Sequence, residues 1–505
     1  MGILGTIVKS AINVGQKLET ENESASAMQK KQLRKLLKTA QNTSFGKFHG
    51  FEEVLSSNDL IKAFQQHVPI HTYEDMAPWW EQQQKFPDIS WPGKPDYFAL
   101  SSGTTGSGSK RIPVTEAISD SMRKVGISLC TQLPNFNLPK EVFESSVLML
   151  SSSAQLEKHE HGHLEGEISG INVHKFPEWY ELFYQPGKSI AAINNWDERV
   201  KQIAKNAAEW DIGAVAGIPS WVLLMLKEVM AYHKLNYIQE IWPNFSVYAS
   251  GGVAFETYRK DFEKLSNKKL TILDTYLASE GFFAYTASPD SMAMRLALAH
   301  GYFYEFIPFD ERGIDEFGEV KKDATALTID EVNKGEEYVL MISSCAGAWR
   351  YVIGDTIEFT SLQPPEIKIT GRTKFFLNVV GSQLSEEKMN QAIVELGQIF
   401  ETSFNEFMVA ALQDESEDYY HQWVLVSDDD LKEEKLKLEL DQILKAKNKN
   451  YAVARNKALK TIKVKVINKK QYKGYLESTK KAGGQVKTPK VMKAEKMLGL
   501  LDQFN

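Results

Sequence analysis

Between residues 95 and 360, short apolar strands take turns with helical stretches, and that alternation limits the chain to an α/β layer architecture. Candidate strands are SSVLML (145–150), SVYAS (246–250), LTILDTYL (270–277) and EYVLMIS (337–343); candidate helices occupy 115–130, 196–209, 220–233 and 254–266. Ahead of this region, residues 1–70 read as helical, with Leu33, Leu36 and Leu37 at helical spacing before a Ser44-Phe45-Gly46 stop. Behind it the pattern changes. Two strands bracket Gly371-Arg372, and a helix follows Gly381 with Ser385 as its N-cap and Glu386 and Glu387 in its first turn. The strands EFMVAAL (406–412), HQWVLVS (421–427) and TIKVKVIN (461–468), with a lysine-rich helix before the last, complete a compact α+β unit. A chain of 505 residues exceeds one ordinary core. The expected division is a large α/β domain, 1–378, and a small α+β domain, 379–505.

The charge is unevenly spread. From Lys445 to Lys496 there are seventeen Lys/Arg against Glu477 and Glu495, or +15, so the remainder of a chain with net charge −7 carries −22. A basic block without interleaved aromatic residues or a nucleic-acid motif points away from nucleic acid and towards a solvated face or a segment that meets a small polyanion. Two cysteines, Cys130 and Cys345, build no disulfide framework and fit a reducing compartment. The run Ile212–Leu226, as long as any uncharged stretch of the chain, contains Pro219 and is too short to cross a bilayer, so it reads as buried core. MGILGT fits the loose N-myristoylation pattern, but Ile3, Leu4, Ile7, Val8 and Ile12 read better as one side of an amphipathic helix, and Lys9 and Lys17 interrupt any signal peptide. These features imply a cytoplasmic monomer with no stable membrane association and no nucleic-acid partner.

The stretch SSGTTGSGSKRIP (101–113) is the first with evident chemistry. Read as strand, then loop, then helix, it would offer backbone N–H groups, hydroxyls and a helix N-terminus to an anion, with Gly103, Gly106 and Gly108 allowing close approach and Lys110 adding charge. It is neither a Walker A loop nor a Gly-x-Gly-x-x-Gly fingerprint. By itself it fits a phosphate cradle and a plain linker equally well. HEHGH could ligate a metal through His159, His161 and His163, yet the flanking Glu160, Glu165 and glycines read as a structural or substrate-lining loop.

Five companions to the loop follow in order. SSGTTGSGSK resembles the phosphate loop of adenylate-forming enzymes, the superfamily of acyl-CoA synthetases and luciferase-like proteins. YASGGVAFE (248–256) resembles its adenine-lining segment, TYLASEG (275–281) its Tyr-Gly-x-Ser/Thr-Glu motif, and WRYVIGDTIEF (349–359) its Tyr-Arg-x-Gly-Asp motif. GRTKFFLNVVGSQLSEEKM (371–389) resembles the hinge between large and small domains, and GGQVKTPKV (483–491) the segment with a mobile lysine. The details are most similar to the auxin-responsive acyl-acid amido synthetases (Gretchen Hagen family) and their bacterial members.

That resemblance implies ATP- and Mg2+-dependent adenylation of a small carboxylic acid, followed by acyl transfer to an amino acid amine. Ser101, Ser102, Gly103, Thr104, Thr105 and Lys110 would hold the β- and γ-phosphates, and Gly251 and Gly252 would line the adenine on which Tyr276 stacks. Ser279 would meet the α-phosphate or acyl carboxylate, Glu280 would hold Mg2+, and Asp355 would accept the ribose hydroxyls. Arg372 would reach ribose or phosphate at the hinge. Lys487 would be the catalytic lysine carried in by rotation of the small domain, with Lys490 as competitor. Other outcomes of the same resemblance are a thioester-forming acyl-CoA ligase and a non-catalytic nucleotide-binding homologue. Val352 stands where the plant enzymes usually carry a second arginine, and Gln383 where many relatives carry a hinge lysine.

Overall fold

The structure, a computed structural model, describes residues 23–101, 110–151, 154–175, 181, 183–252, 255–289, 291–315, 319–373, 384, 386–416, 418–457, 459–478 and 490–504. Strands in chain order are β1 Tyr97–Ser101, β2 Lys110–Val114, β3 Ser146–Leu150, β4 Glu157–Lys158, β5 Leu164–Gly166, β6 Tyr184–Gln185, β7 Ile212–Gly217, β8 Val247–Gly251 and β9 Thr271–Ala278. They continue with β10 Gly281–Thr286, β11 Met294–Leu296, β12 Tyr302–Pro308, β13 Glu337–Ser344, β14 Tyr351–Leu362, β15 Pro365–Arg372, β16 Phe407–Gln413, β17 Tyr419–Val426 and β18 Leu459–Ile467.

Among the described residues, the main sheet has eleven strands in the order β12-β13-β14-β15-β11-β10-β9-β8-β7-β3-β6. Its β6-β3-β7-β8-β9 half is parallel, and from β9 onward every pairing is antiparallel. The parallel half is covered by the helices Trp196–Asn206 and Pro219–His233, whose apolar faces pack with Ile212, Val215 and Tyr248. The buried run Ile212–Leu226 therefore divides into β7 and a helix that starts at Pro219, where a missing N–H costs nothing and φ is preset. The antiparallel half packs its aromatics, including Phe283, Tyr302, Tyr304 and Trp349, against the N-terminal helices that carry Leu33, Leu36, Leu37 and Phe45.

A smaller sheet, β2-β1-β5-β4, holds the glycine loop's flanks. The loop is not followed directly by a helix, as its strand-loop-helix reading expects. β2 intervenes and runs antiparallel to β1, with Ser101 opposite Lys110. The β-branched Ile112 and Val114 bury in the core, which secures the strand. The helix begins only at Glu116, capped by the Thr115 hydroxyl, so its N-terminal dipole belongs to that turn and not to the loop. Residues 102–109 lie outside the described residues.

The third sheet, β16-β17-β18, has its own core with the helices Glu386–Ile399 and Glu433–Lys447. Within it His421 is fully buried, neither ring nitrogen has a partner among the described residues, and burial, helped by Arg455, lowers its pKa from 6.5 to about 3. In the large sheet's flank, burial takes His71 to about 4 despite its 2.8 Å hydrogen bond with the Trp349 carbonyl. The unfolded chain binds these protons near pH 6.5 and the folded one does not, so stability is lost as pH falls from 6.5 towards 4. Each histidine contributes up to about 3 kcal/mol over that window. Urea midpoints measured from pH 7 to pH 4 should fall, and His421→Leu should flatten the slope.

Candidate active site

The carboxyl end of β9 is where the sheet changes from parallel to antiparallel. Here the chain reverses through Ser279 and Glu280, with Ala278 opposite Gly281. Glycine is required at 281 by close approach, because a Cβ there would lie 2.5 Å from the Tyr302 hydroxyl oxygen. That hydroxyl accepts the Phe282 N–H at 3.0 Å and fixes the turn.

The turn places Glu280 inside the protein. It is 8% exposed, and the Tyr351 hydroxyl donates a hydrogen bond to its carboxylate at 3.3 Å. Burial pushes its carboxyl above the ordinary value, while the positive Lys110 pulls it back. Lys110 comes from β2, and its ammonium lies 5.0 Å from the centre of the Tyr73 ring.

The β14–β15 hairpin supplies the other charged pair. Its register sets Asp355 opposite Arg372, and the Arg372 Nε–H donates to Asp355 Oδ1 at 2.6 Å. The second carboxylate oxygen accepts the Tyr276 hydroxyl at 2.7 Å. Burial and this carboxylate keep the Tyr276 phenol protonated, and Asp355 holds Arg372 firmly charged. The Tyr276 ring is 3% exposed and lies edge-on to Phe283, so in this arrangement its hydroxyl, more than its face, serves the site. Gly251, opposite Thr275, and Gly252, at φ +85°, close the adjoining strand end, where a Cβ on Gly251 would meet Thr275 Oγ1 at 3.0 Å.

Of the residues singled out in the sequence, Glu280 and Lys110 interact electrostatically, as do Tyr276, Asp355 and Arg372, and Glu280 feels the last two as well. Ser279 lies in the turn, and Ser101 ends β1. Ser102, Gly103, Thr104, Thr105, Gln383 and Lys487 fall outside the described residues. Lys490 is engaged elsewhere: its ammonium pairs with Glu406 at 3.1 Å and sits 4.7 Å from the Phe407 ring centre. Val352 packs against the apolar group containing Ile307, Val339 and Met341.

Two site residues were given no role from sequence. Tyr351 belongs to a quoted motif but only the fold shows its hydroxyl on Glu280. Asp274 stands two residues before Tyr276, and burial raises its carboxyl to about 7. An acid in the middle of the apolar LTILDTYL was the available signal for it.

The fold has precedents among solved structures. The acyl acid amido synthetase AtGH3.15 superposes with a TM-score of 0.79 at 16% identity, over 98% of this chain and 96% of that one. A 2-hydroxyisobutyryl-CoA ligase follows with a TM-score of 0.57 at 11% identity, over 94% of this chain and 91% of that one. The fold is that of the adenylate-forming ligases. The GH3 family N-terminal domain matches residues 14–203, its central domain 295–372 and its C-terminal domain 387–496, and the chain belongs to the GH3 family. Among curated relatives, indole-3-acetic acid-amido synthetase GH3.2 of Arabidopsis thaliana is 27% identical over 32% of this chain and 31% of its own length. Jasmonoyl--L-amino acid synthetase GH3.5 of Oryza sativa subsp. japonica is 28% identical over 32% of this chain and 30% of its own. The aligned part thus spans less than a third of either relative.

Proposed function

We propose that the chain is an ATP-dependent acyl acid amido synthetase. The observation that carries this reading is the meeting of Lys110, Glu280, Asp355, Arg372 and Tyr276, drawn from four separated segments, at the strand end where the sheet reverses. In the first step a carboxylate oxygen bonds to the α-phosphorus of ATP, the bond to the β-phosphate bridge breaks, and pyrophosphate leaves. In the second, an amino acid nitrogen bonds to the acyl carbon, AMP leaves with the former carboxylate oxygen, and the nitrogen sheds a proton to solvent while keeping its amide N–H.

Positioning and charge dispersal do most of this work. Lys110 and the loop from Ser101 to Thr105 hold the triphosphate. Asp355, already preset by Tyr276 and Arg372, keeps lone pairs to accept the ribose hydroxyls. Glu280 suits Mg2+, a hard cation that takes one carboxylate alongside phosphate oxygens and waters. Bound there, the ion would neutralise triphosphate charge. Residues 379–505 act as a mobile domain that delivers Lys487. A second reading, thioester formation with coenzyme A, draws support from the likeness to the CoA ligase.

Pyrophosphate release is the test: it should require both ATP and an acid, across a panel of aryl and aliphatic carboxylic acids. Lys487→Ala should slow that release by about 10²–10³-fold, the loss of one charged donor to the transition state, while leaving ATP binding in a filter assay nearly unchanged. Equal loss of binding and rate would place Lys487 in ground-state binding instead.

A further inference from the structure

Beside the nucleotide cluster, on the opposite flank of β1, lies a group of side chains that adenylation does not use. His159 and His163 bracket the turn between β4 and β5, where the His159 N–H donates to the His163 carbonyl at 2.9 Å. This cross-turn pairing puts both rings on one face, stacked with centroids 4.5 Å apart and planes 18° apart. Glu165 follows two residues later on the same side of β5, and the His163 Nε2 is 3.0 Å from its Oε1. One ligand atom from each of His159, His163 and Glu165 lies within 4.8 Å of the other two.

We propose that His159, His163 and Glu165 form a binding site for a borderline transition-metal dication, Zn2+ above all. Two imidazoles and one carboxylate are a donor set for Zn2+, with water completing a tetrahedron, and are the wrong set for Mg2+ or Ca2+, which take oxygen. The His163 side chain has 0% exposure, and among the described residues its Nδ1 has no hydrogen-bond partner, so Nε2 carries its one hydrogen bond, to Glu165. Nε2, already turned to the Glu165 carboxylate, is the nitrogen placed to share an ion with it, exchanging its hydrogen bond for the metal.

A cleft of about 280 Å³, lined by Tyr73, Trp80, Glu81, Arg111, His159 and His161, reaches His159, the outermost of the three ligands. The ligand atoms must close from their present spread to the separation of about 3.4 Å that a tetrahedral ion at 2.0–2.1 Å imposes. His159, only partly buried, has room to make that movement. A consequence follows for β2. The Arg111 Nε–H donates to the same Glu165 oxygen at 2.8 Å, so a cation on Glu165 competes with the guanidinium next to Lys110. Metal binding would therefore loosen Arg111 at the edge of the phosphate loop.

The test is titration of the full chain, without nucleotide, with Zn2+ against a chromophoric chelator, and with Co2+ to read coordination from its visible bands. One equivalent should bind, with tetrahedral Co2+ bands. His159→Ala should weaken binding by at least about a hundredfold, with an unchanged circular dichroism spectrum, and Glu165→Gln should weaken it less. His161→Ala should leave it unaltered. Absence of stoichiometric binding by the wild type would overturn the proposal. So would loss of binding in His161→Ala, which would move the ion to the outer group His159, Glu160 and His161. None of these readouts depends on catalysis, so failure here leaves the synthetase reading standing, and the reverse.

Discussion

Glu280→Gln should lower acid-dependent pyrophosphate release by about 10²–10³-fold, equivalent to about 2.7–4 kcal/mol of transition-state stabilisation. Glutamine has nearly the same shape and can still accept from Tyr351, so the change removes charge and little else. Buried beside Tyr351 and drawn to Lys110, the Glu280 carboxylate exists in its charged form at a cost, which its raised pKa records. The sign for stability follows. A carboxyl whose folded pKa lies above its unfolded value destabilises the fold once pH exceeds the unfolded value, so the neutral amide should leave the melting temperature equal or higher. A rate that collapses while stability holds identifies a group acting on the reaction. If both fell together, Glu280 would be a structural residue.

Arg350→Met should have the opposite profile, costing about 3–5 kcal/mol of stability because it strands a buried partner charge. The Arg350 Nε is 3.1 Å from both oxygens of Glu305, which is 1% exposed, and Nη1 donates to the carbonyls of Gln65 and Val68. Without the guanidinium, Glu305 keeps only the 2.9 Å hydrogen bond from Gln65 and must take up a proton. Denaturant midpoints should therefore fall most above neutral pH. Pairing the change with Glu305→Leu should recover part of the loss, though the two carbonyls stay unsatisfied. Because Tyr351 follows directly, any activity lost by Arg350→Met alone should return with the stability.

These two residues show what a sequence can and cannot reveal. Arg350 and Asp355 both sit in WRYVIGD, yet one is clamped in the core while the other faces the site, and no residue type distinguishes them before β14 has a register. Regular elements were legible where periodicity met a cap or a stop. The strand expected at 270–277 is Thr271–Ala278, and the helix expected at 220–233 starts at Pro219 and ends at His233. β2 was hidden because KRIPV contains a proline and two cations, and only pairing with β1 makes it a strand. β12, buried at every position, lacks the alternation that signals a half-exposed strand. Lys110, Tyr276, Glu280, Asp355 and Arg372, which the fold brings together, fall within four of the six quoted motifs. The hydrogen bonds from Tyr276 to Asp355 and from Tyr351 to Glu280 were not legible, since each depends on strand order across a sheet that mixes parallel and antiparallel pairing.

The most direct measurement of the central claim is a product mass. The enzyme is supplied with ATP, Mg2+, a carboxylic acid that drives pyrophosphate release, and both an amino acid mixture and coenzyme A. The predicted result is AMP together with a compound whose mass is acid plus amino acid minus water. An acyl-CoA thioester as the sole conjugate, or no conjugate with any acid, would contradict it.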